Sequence, residues 1–571
     1  MNRRWFYLCA VTLLLGVMLA LMLHPMHEET ATVDEPVFLG AGYSYWRGYR
    51  YYFNVEHPPL MQLWSALPLL AQPVKWPSQG EKYFDQTPLH PTALTWDYQY
   101  RQREKLYPRK QEFYYYPMFE AGFFGRKILY GGPNDAEQML FWGRFMQALV
   151  TVATGLVVFL WARALSNGLG GLLALAAWVF NPLALAYGHL VITDPGISLF
   201  LPLAVWLWAC FLEEPRRGRA MAAGLACGAA LLTKYTAIIL APIFVVLTAL
   251  AWWSRWRRGS VFPWRHVAVG CGLLASVVIA VILVVYFPHL RPAPSVSPED
   301  GERWKVPGWF VTLRPVLVPR DYFKGLAIML LHVASGHENY LLGEWSRTGW
   351  WYYFPLAMLV KTPLALLLLV WIGLVLGLRR VRELSFAEWA PVVAAVVYLA
   401  CAMFSRANIG IRHVLPVYPL VTVAAAAQLG RAGPRAQVLG LALAIWLAGA
   451  AVYSHPFYLE YFNELAGGAR DGQEYLVDSN YDWGQGGKRL KTFIQDRELK
   501  HLYIDFFGVG SALRYYELPV TPVEPEQARQ LRDAHLAVSA SYLVKPEYAW
   551  LRENHRPIAR PGCTMFVYHL P

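Results

Sequence analysis

The chain alternates between apolar blocks of about 20 residues and short polar connections. A helix of about 20 residues is about 30 Å long, which matches the hydrocarbon core of a bilayer. The pattern therefore predicts a multi-pass membrane protein with eleven spanning helices. The predicted spans are residues 5–23, 139–165, 168–188, 195–212, 220–232, 236–253, 266–287, 352–378, 387–404, 411–429 and 436–453.

The connections between these blocks are basic, and their positions predict the orientation of the chain. Connections 216–219 and 255–258 both carry several arginines. Because cytoplasmic loops collect positive charge, both belong on one side, so the two short spans between them are counted separately. We expect a cytoplasmic N-terminus. Orientation in the bilayer accounts for much of the net charge of +12, and no nucleic-acid partner is predicted.

This topology leaves three long polar segments on the outer side, namely 24–138, 288–351 and 454–571. The first two contain apolar runs, 60–70 and 322–333, that are too short to cross a bilayer. Runs of that length are typical of helices that lie in the membrane interface. The chemistry of the protein is therefore expected on its outer face.

The C-terminal segment 454–571 is less apolar than the rest and mixes strand-like with helical periodicity, which predicts a small α/β domain. The fold class predicted is an all-α polytopic membrane bundle over 1–453, with interfacial helices in its outer loops, followed by this domain. The predicted strands are 475–477, 502–507, 536–543 and 564–570, and the predicted helices are 486–495 and 546–554.

Composition supports the membrane assignment and excludes a soluble enzyme. Hydrophobic residues make up 56% of the chain and charged residues only 16%, against roughly 25% charged in soluble domains. Five of the six cysteines fall within apolar blocks. No disulfide framework and no cysteine metal site is therefore predicted.

The first candidate for chemistry is the acidic pair Asp34 and Glu35, about ten residues beyond the first span. An aromatic stretch follows, and then Glu56 and His57 before two prolines. A carboxylate at the membrane surface can act as a general base, and aromatic faces can stack on sugar rings. The alternative is that Asp34 and Glu35 cap a helix that begins at Pro36.

A second candidate is Asp194, in the predicted outer connection between the third and fourth spans. An ionisable residue at a membrane boundary is costly, and it usually has a partner and a function. The alternative is again a helix cap, with Pro195 in the first helical position.

Five basic residues map to the outer half of the predicted bundle, and a lipid phosphate at that depth would need such cations. The alternative is that their side chains extend to the lipid headgroups. A divalent-metal site was also weighed, although the spacing matches no metal motif. The basic residues are Arg144, Lys234, Lys361, Arg412 and His413, and the possible metal ligands are Glu56, His57, His189 and Asp194.

The order and sidedness of these residues resemble the GT-C glycosyltransferases of the protein O-mannosyltransferase type, with the aminoarabinose transferase of lipid A as a related branch. The residues that carry the resemblance are Asp34 and Glu35, the run from His57 to Leu60, Asp194, and segments 343–363, 408–413 and 478–485.

This resemblance implies transfer of a sugar from a polyprenyl-phosphate carrier to an acceptor on the outer face, with inversion at the anomeric carbon. It implies that Asp34 is the base. It leaves Asp194 and Glu35 as orienting or substrate-contacting groups, and the best candidates for phosphate are Arg412, Lys361 and Arg144. The chain departs from the aminoarabinose branch at His57, where that branch has lysine, and an imidazole is often uncharged at neutral pH.

The sequence thus predicts a glycosyltransferase of a bacterial cytoplasmic membrane with its C-terminal domain in the periplasm. Its partners are a polyprenyl-phosphate-linked sugar, a protein, lipid or glycan acceptor, and the bilayer. A divalent metal is the one cofactor considered. Two alternatives are kept: a transporter or flippase with an external domain, and an oligosaccharide ligase or polymerase. Transporters carry broken helices in repeated halves, and the pattern predicts neither.

Overall fold

The computed structural model describes residues 3–48, 51, 53–76, 116–287 and 320–571. The rest of the predicted outer loops, residues 77–115 and 288–319, lies outside the described residues. Helices dominate the first two thirds. They are α1 (Arg3–Glu28), α2 (Glu35–Trp46), α3 (Leu60–Ala66), α4 (Tyr116–Tyr130), α5 (Ala136–Leu165), α6 (Gly168–Val179), α7 (Pro182–Gly188), α8 (Asp194–Glu213), α9 (Arg217–Thr233), α10 (Leu240–Arg257), α11 (Trp264–Tyr286), α12 (Arg320–Ser335), α13 (Tyr353–Lys361), α14 (Leu364–Arg379), α15 (Phe386–Met403), α16 (Val417–Arg431) and α17 (Pro434–Ser454).

Each of the eleven predicted spans corresponds to a helix or to a bent helix pair. Within the described residues, seven helices are long and apolar enough to cross a membrane, and nine crossings result if each bent pair is one span. The other two predicted spans are α9, with 17 residues, and α16, with 15. Both pack against several neighbouring helices, α9 against α8 and α11, and α16 against α6 and α14. The chain is a multi-pass membrane protein, as the hydrophobic pattern predicts.

Two of the predicted spans are broken rather than continuous. Helices α6 and α7 meet at 59°, and α13 and α14 meet at 115°. Pro182 and Pro363 lie at the two breaks. Proline lacks the backbone N–H that would continue the helical hydrogen bonds, so each helix ends before it. The expectation that the chain has no broken helices is therefore wrong, and the predicted span 352–378 is the bent pair α13 and α14.

Short helices cover the end of the bundle where α1 ends. The predicted interfacial runs 60–70 and 322–333 fold as α3 and α12. Helix α2 packs closely on both α3 and α4, because glycines occupy the crossings. A Cβ on Gly42 would lie 2.0 Å from the carbonyl oxygen of Gln62, and one on Gly125 would lie 1.9 Å from that of Pro36. These glycines let α2 lie buried between α3 and α4, in close contact with both.

Beyond α17 the chain forms a small sheet with helices around it, as predicted for an α/β tail. After the hairpin β1 (Asn339–Leu341) and β2 (Glu344–Ser346), its strands are β3 (Leu502–Asp505), β4 (Val520–Pro522), β5 (Ala534–Ser539) and β6 (Met565–Leu570), and its helices are α18 (Gly487–Asp496), α19 (Gly510–Tyr515), α20 (Pro525–Ala528), α21 (Ala540–Leu543) and α22 (Ala549–Asn554). The strand order is β4-β3-β5-β6, with β3 parallel to β4 and β5, and with β6 antiparallel to β5. The sequence pattern does not predict β4, and residues 475–477 do not form the predicted strand.

Candidate active site

Asp34 lies directly before α2, in the position of a helix cap, but its side chain does not cap the helix. Its carboxylate instead pairs with Arg412, which donates from Nη1 to Oδ2 at 3.0 Å. The side chain of Asp34 is 29% exposed and that of Arg412 is 11% exposed. The Asp34 carboxylate is therefore not a helix cap. It binds a buried cation and is also in contact with solvent.

Asp194 is the first residue of α8, and Thr193 is its N-cap without a side-chain cap bond. Lys234 donates from Nζ to Oδ1 of Asp194 at 2.7 Å. The second carboxylate oxygen, Oδ2, lies 3.9 Å from Nη1 of Arg412. The capping alternative therefore does not describe the Asp194 side chain either, and the residue joins two cations at the end of the bundle.

The four side chains form a row of alternating charge, Asp34, Arg412, Asp194 and Lys234. Local breaks in the helices position the two cations. Lys234 lies in extended conformation immediately after α9, and Arg412 lies in a short 3₁₀ turn before α16. A row with paired charges is stable in a site of low dielectric constant, whereas either cation alone would be costly there. The phosphate of a lipid carrier can replace a carboxylate in such a row.

Glu56 and His57 lie close to this row, so the structure brings these predicted residues together. Oε1 of Glu56 and Nδ1 of His57 are buried without a hydrogen-bond partner among the described residues. Burial, and next the charge of Asp34, raise the pKa of Glu56 to about 7. Burial and the cations Lys234 and Arg412 hold the pKa of His57 well below its usual value, so this imidazole is neutral.

His332 and His413, which come from distant parts of the chain, lie near the same charged groups. Nδ1 of His332 lies 3.8 Å from Oε1 of Glu56. Nε2 of His413 is buried and makes no hydrogen bond to the described residues. Unsatisfied buried polar groups call for a functional explanation. Here they border an acid and two cations, which is where a polar substrate would satisfy them.

Glu35 and Arg144 are also brought together, but away from any open surface, because both side chains are 0% exposed. Arg144 donates from Nε and Nη2 to the two oxygens of Glu35 at 2.8 and 2.7 Å. Its other three N–H groups bind the carbonyl oxygens of Met26, Glu29 and Thr30 at 2.9 Å. This geometry leaves Arg144 no donor for a phosphate and Glu35 no face for a substrate. The pair instead holds the loop that carries Asp34.

Lys361 is likewise enclosed by the protein. Its ammonium group donates to the carbonyl oxygens of Leu459 at 2.8 Å and Asn480 at 2.6 Å, and it lies 4.3 Å from the centre of the Phe462 ring. The side chain is fully buried. The prediction of a phosphate contact is therefore corrected: Lys361 joins the end of α13 to the C-terminal segment.

The four possible metal ligands do not form one cluster. Both ring nitrogens of His189 lie within hydrogen-bond distance of protein acceptors, the Leu185 carbonyl at 2.8 Å and the Glu29 carboxylate at 3.0 Å. Asp194 is engaged by Lys234. Across the ranges that the structure describes, no group of three or more His, Cys, Asp or Glu side chains has the arrangement of a metal site. The described residues at this site therefore do not fit a resident metal.

Two residues at the site were not predicted from the sequence. Trp483 lies with its ring 4.1 Å from the Arg412 guanidinium carbon, and His332 faces Glu56. Segment 478–485 was noted for its polar and aromatic residues. Only its packing against the bundle shows which of them approaches Arg412.

An acid open to solvent beside buried cations, at one end of a membrane bundle, defines a candidate enzyme site for a lipid-linked anion. Residues 137–285 match the family described as dolichyl-phosphate-mannose-protein mannosyltransferase. This range contains Asp194 and Lys234 but not Asp34 or Arg412.

The chain is also similar to curated proteins named undecaprenyl phosphate-alpha-4-amino-4-deoxy-L-arabinose arabinosyl transferase. The protein from Pseudomonas aeruginosa is 28% identical over 308 residues, which is 52% of this chain and 47% of that protein. The protein from Edwardsiella ictaluri is 27% identical over 221 residues, 35% of this chain and 39% of that protein. The chain thus spans about half the length, or less, of the curated relatives it matches.

Among solved structures, the apo crystal structure of ArnT from Cupriavidus metallidurans aligns with a TM-score of 0.46 and 15% identity, covering 98% of this chain and 97% of that one. The family and curated matches confirm the predicted resemblance to GT-C glycosyltransferases of the aminoarabinose transferase type. Together with the apolar helices they indicate a multi-pass protein of a bacterial inner membrane.

Proposed function

We propose that this protein is a glycosyltransferase that moves a sugar from a polyprenyl-phosphate carrier to a hydroxyl or amine acceptor of the cell envelope, with inversion. The observation that carries the proposal is the partly exposed Asp34 carboxylate, held 3.0 Å from a buried Arg412 that also faces Asp194. The curated relatives support it, because their printed names specify a sugar carried on undecaprenyl phosphate.

In the proposed reaction, the donor phosphate binds Arg412 and Lys234 and thereby displaces the Asp34 carboxylate from Arg412. Asp34 then accepts the proton of the acceptor hydroxyl or amine. The acceptor atom forms a bond to the anomeric carbon as the bond from that carbon to the phosphate oxygen breaks. The phosphate leaves as an anion stabilised by the two cations, so one carboxylate base and one cationic pocket are sufficient.

The remaining residues of the site have supporting roles in this proposal. Asp194 orients Arg412 and Lys234 by holding a cation on each side of its carboxylate. Glu56, in the protonated form that it takes below its pKa of about 7, and the neutral His57 offer hydrogen bonds to the hydroxyl groups of a sugar or acceptor. Because His57 is neutral, Arg412 and Lys234 are the two cations left to bind the phosphate in this proposal.

The proposed orientation puts the N-terminus in the cytoplasm and the domain 454–571 in the periplasm, with the bundle 1–453 as the catalytic part. The basic connections 216–219 and 255–258 support it, because cytoplasmic loops are enriched in lysine and arginine. Alkaline phosphatase fused after residue 571 should be active, and the same enzyme fused after residue 257 should be inactive. The reverse pattern would contradict this orientation.

The test of the proposed base is Asp34→Asn, which keeps the size of the side chain but cannot accept the proton. We expect transfer from a labelled undecaprenyl-phosphate sugar to fall by about 10²–10⁴-fold, while undecaprenyl phosphate binds at least as tightly as it does to wild type, because it no longer displaces a carboxylate from Arg412. Asp135→Asn is the matched control, because Asp135 caps α5 and asparagine caps equally well. Normal turnover by Asp34→Asn would remove Asp34 from the mechanism.

A transporter or flippase is the second candidate, and the two bent helix pairs favour keeping it, since transporters bind their substrates at broken helices. The break at Lys361 is filled by carbonyl oxygens of the C-terminal segment rather than open to a substrate path. Reconstituted vesicles distinguish the two, because a flippase moves the lipid-linked sugar between leaflets without any acceptor. A ligase or polymerase would instead transfer more than one sugar, which the mass of the product reveals.

A further inference from the structure

The segment 478–487, which links the bundle to the C-terminal sheet, contacts the loop that carries Arg412. Ser479 donates from Oγ to the carbonyl oxygen of Ile409 at 2.7 Å. The backbone N–H of Ile411 donates to Oδ1 of Asn480 at 2.8 Å. These bonds fix the backbone at Ile409 and Ile411, so the chain is held immediately before Arg412.

The same segment contacts the loop that carries Asp34. The backbone N–H of Val33 donates to the carbonyl oxygen of Trp483 at 3.2 Å. Thr30 donates from Oγ1 to the carbonyl oxygen of Gly484 at 2.6 Å and from its backbone N–H to that of Gln485 at 3.1 Å. One segment of ten residues therefore binds both loops whose side chains form the Asp34 and Arg412 pair.

Trp483 connects the two loops most directly. Its carbonyl oxygen binds the residue before Asp34, and its ring covers the Arg412 guanidinium at 4.1 Å. Trp483 is 2% exposed. Its backbone N–H donates to Oε1 of Gln485, and Nε2 of Gln485 donates in turn to Oε1 of Glu460. Because the ring occupies one face of the guanidinium, the N–H groups at its edge are directed toward carboxylates or a phosphate.

We infer that Trp483 is a positioning residue, which holds the Arg412 guanidinium in the orientation that binds Asp34 or the donor phosphate. The C-terminal domain thereby completes the active site of the bundle. The inference rests on the proposed function for its ligand but not for its geometry. Trp483 acts through Arg412 and touches no reacting atom.

The test compares Trp483→Leu and Trp483→Phe for binding of undecaprenyl phosphate in nanodiscs. A cation in contact with an aromatic ring away from water is stabilised enough that the leucine variant should bind about 10- to 30-fold more weakly. Phenylalanine keeps an aromatic face and should restore binding to within about threefold of wild type. Trp253→Leu is the matched control, because Trp253 covers Arg257 at 4.9 Å at the opposite end of the bundle.

A double-mutant cycle separates positioning from a general effect on folding. In the Arg412→Gln background, Trp483→Leu should weaken binding no further, since the group it positions is gone. An equal loss in both backgrounds would overturn the inference. So would leucine and phenylalanine variants that bind alike, or a leucine variant that binds as wild type does.

Hydrogen–deuterium exchange keeps the inference testable if wild type does not bind undecaprenyl phosphate, a result that would count against the proposed function instead. Trp483→Leu should raise exchange in segments 30–36 and 407–413 together, and Trp253→Leu should raise it in neither. Unchanged exchange in both segments would refute the geometric part of the inference.

Discussion

Substitution of Glu35 can distinguish a structural role of this carboxylate from a role in substrate binding. It was predicted to orient or contact the substrate, yet the structure shows a fully buried carboxylate with five protein donors. The substitution Glu35→Gln keeps the shape of the side chain and removes its charge. It also points the amide NH₂ group at N–H and O–H donors whose hydrogen bonds the carboxylate accepts in wild type. Arg144 is then left as a buried cation without its counter-charge.

The expected loss follows from these contacts. Both oxygens of Glu35 pair with Arg144, and they also accept from the backbone N–H groups of Thr32 at 2.9 Å and Val191 at 3.1 Å. Breaking a buried ion pair from one side costs about 3–5 kcal/mol, because the remaining charge is uncompensated. We expect the free energy of unfolding to fall by about that amount.

The assay is reversible unfolding in mixed micelles by titration with SDS, followed by tryptophan fluorescence, with undecaprenyl phosphate binding measured on the folded fraction. Glu214→Gln is the matched control, since Glu214 also pairs with arginines but is 54% exposed. That pair should contribute no more than about 1 kcal/mol. A Glu35→Gln protein as stable as this control, but unable to bind the phosphate, would refute the structural reading and restore the predicted substrate contact.

Two further variants test the electrostatics of the site. Glu56, with a pKa raised to about 7, is protonated below that pH and charged above it, so wild type should bind undecaprenyl phosphate a few-fold to about tenfold more weakly at pH 8 than at pH 6, relative to Glu56→Gln. Lys234→Met should lower transfer by about 10- to 100-fold, because the departing phosphate loses one of its two cations and Asp194 loses its partner at 2.7 Å.

Each of these variants has an internal control. The phosphate probe titrates near neutral pH itself, but it does so equally with wild type and Glu56→Gln, so parallel pH profiles would show that Glu56 has no part in binding. Lys488→Met is the control for Lys234→Met, because Lys488 pairs with Glu137 outside the site. Equal activities of the two lysine variants would contradict the role given to Lys234.

Much of the fold could be predicted because the bilayer imposes a strong and local rule. Every predicted span contains a helix, and both short interfacial runs are helical. The errors lie where local pattern is ambiguous. Hydropathy runs continuously across residues 352–378, whereas Pro363 ends one helix and the chain turns by 115°. Strand β4 has only three residues, too few for any periodicity to appear.

The sequence predicts which residues could form the site, but it predicts their individual roles less well. Asp34, Asp194 and Arg412 were named as candidates, and the structure brings all three together. Arg144 and Lys361 share the same grounds, as cations near the outer boundary, yet all five N–H groups of Arg144 bind protein acceptors, and the buried ammonium of Lys361 binds two carbonyl oxygens and the Phe462 ring. The depth in the membrane that is predicted from the sequence is the same for a cation that faces other charged groups of the site and for one that binds backbone carbonyl oxygens. Only the tertiary contacts distinguish the two.

The sequence by itself determined that this chain spans a membrane many times and carries acids and cations at one end of the bundle, because apolar length and charge placement act on each segment separately. Which acid meets which cation was decided only by tertiary structure. Arg412 reaches Asp34 across 378 positions of the chain, and Trp483 reaches Arg412 and the backbone of Val33, the residue before Asp34, from the C-terminal segment. Such contacts depend on how closely helices and loops pack, a property of the whole folded chain that no single segment records.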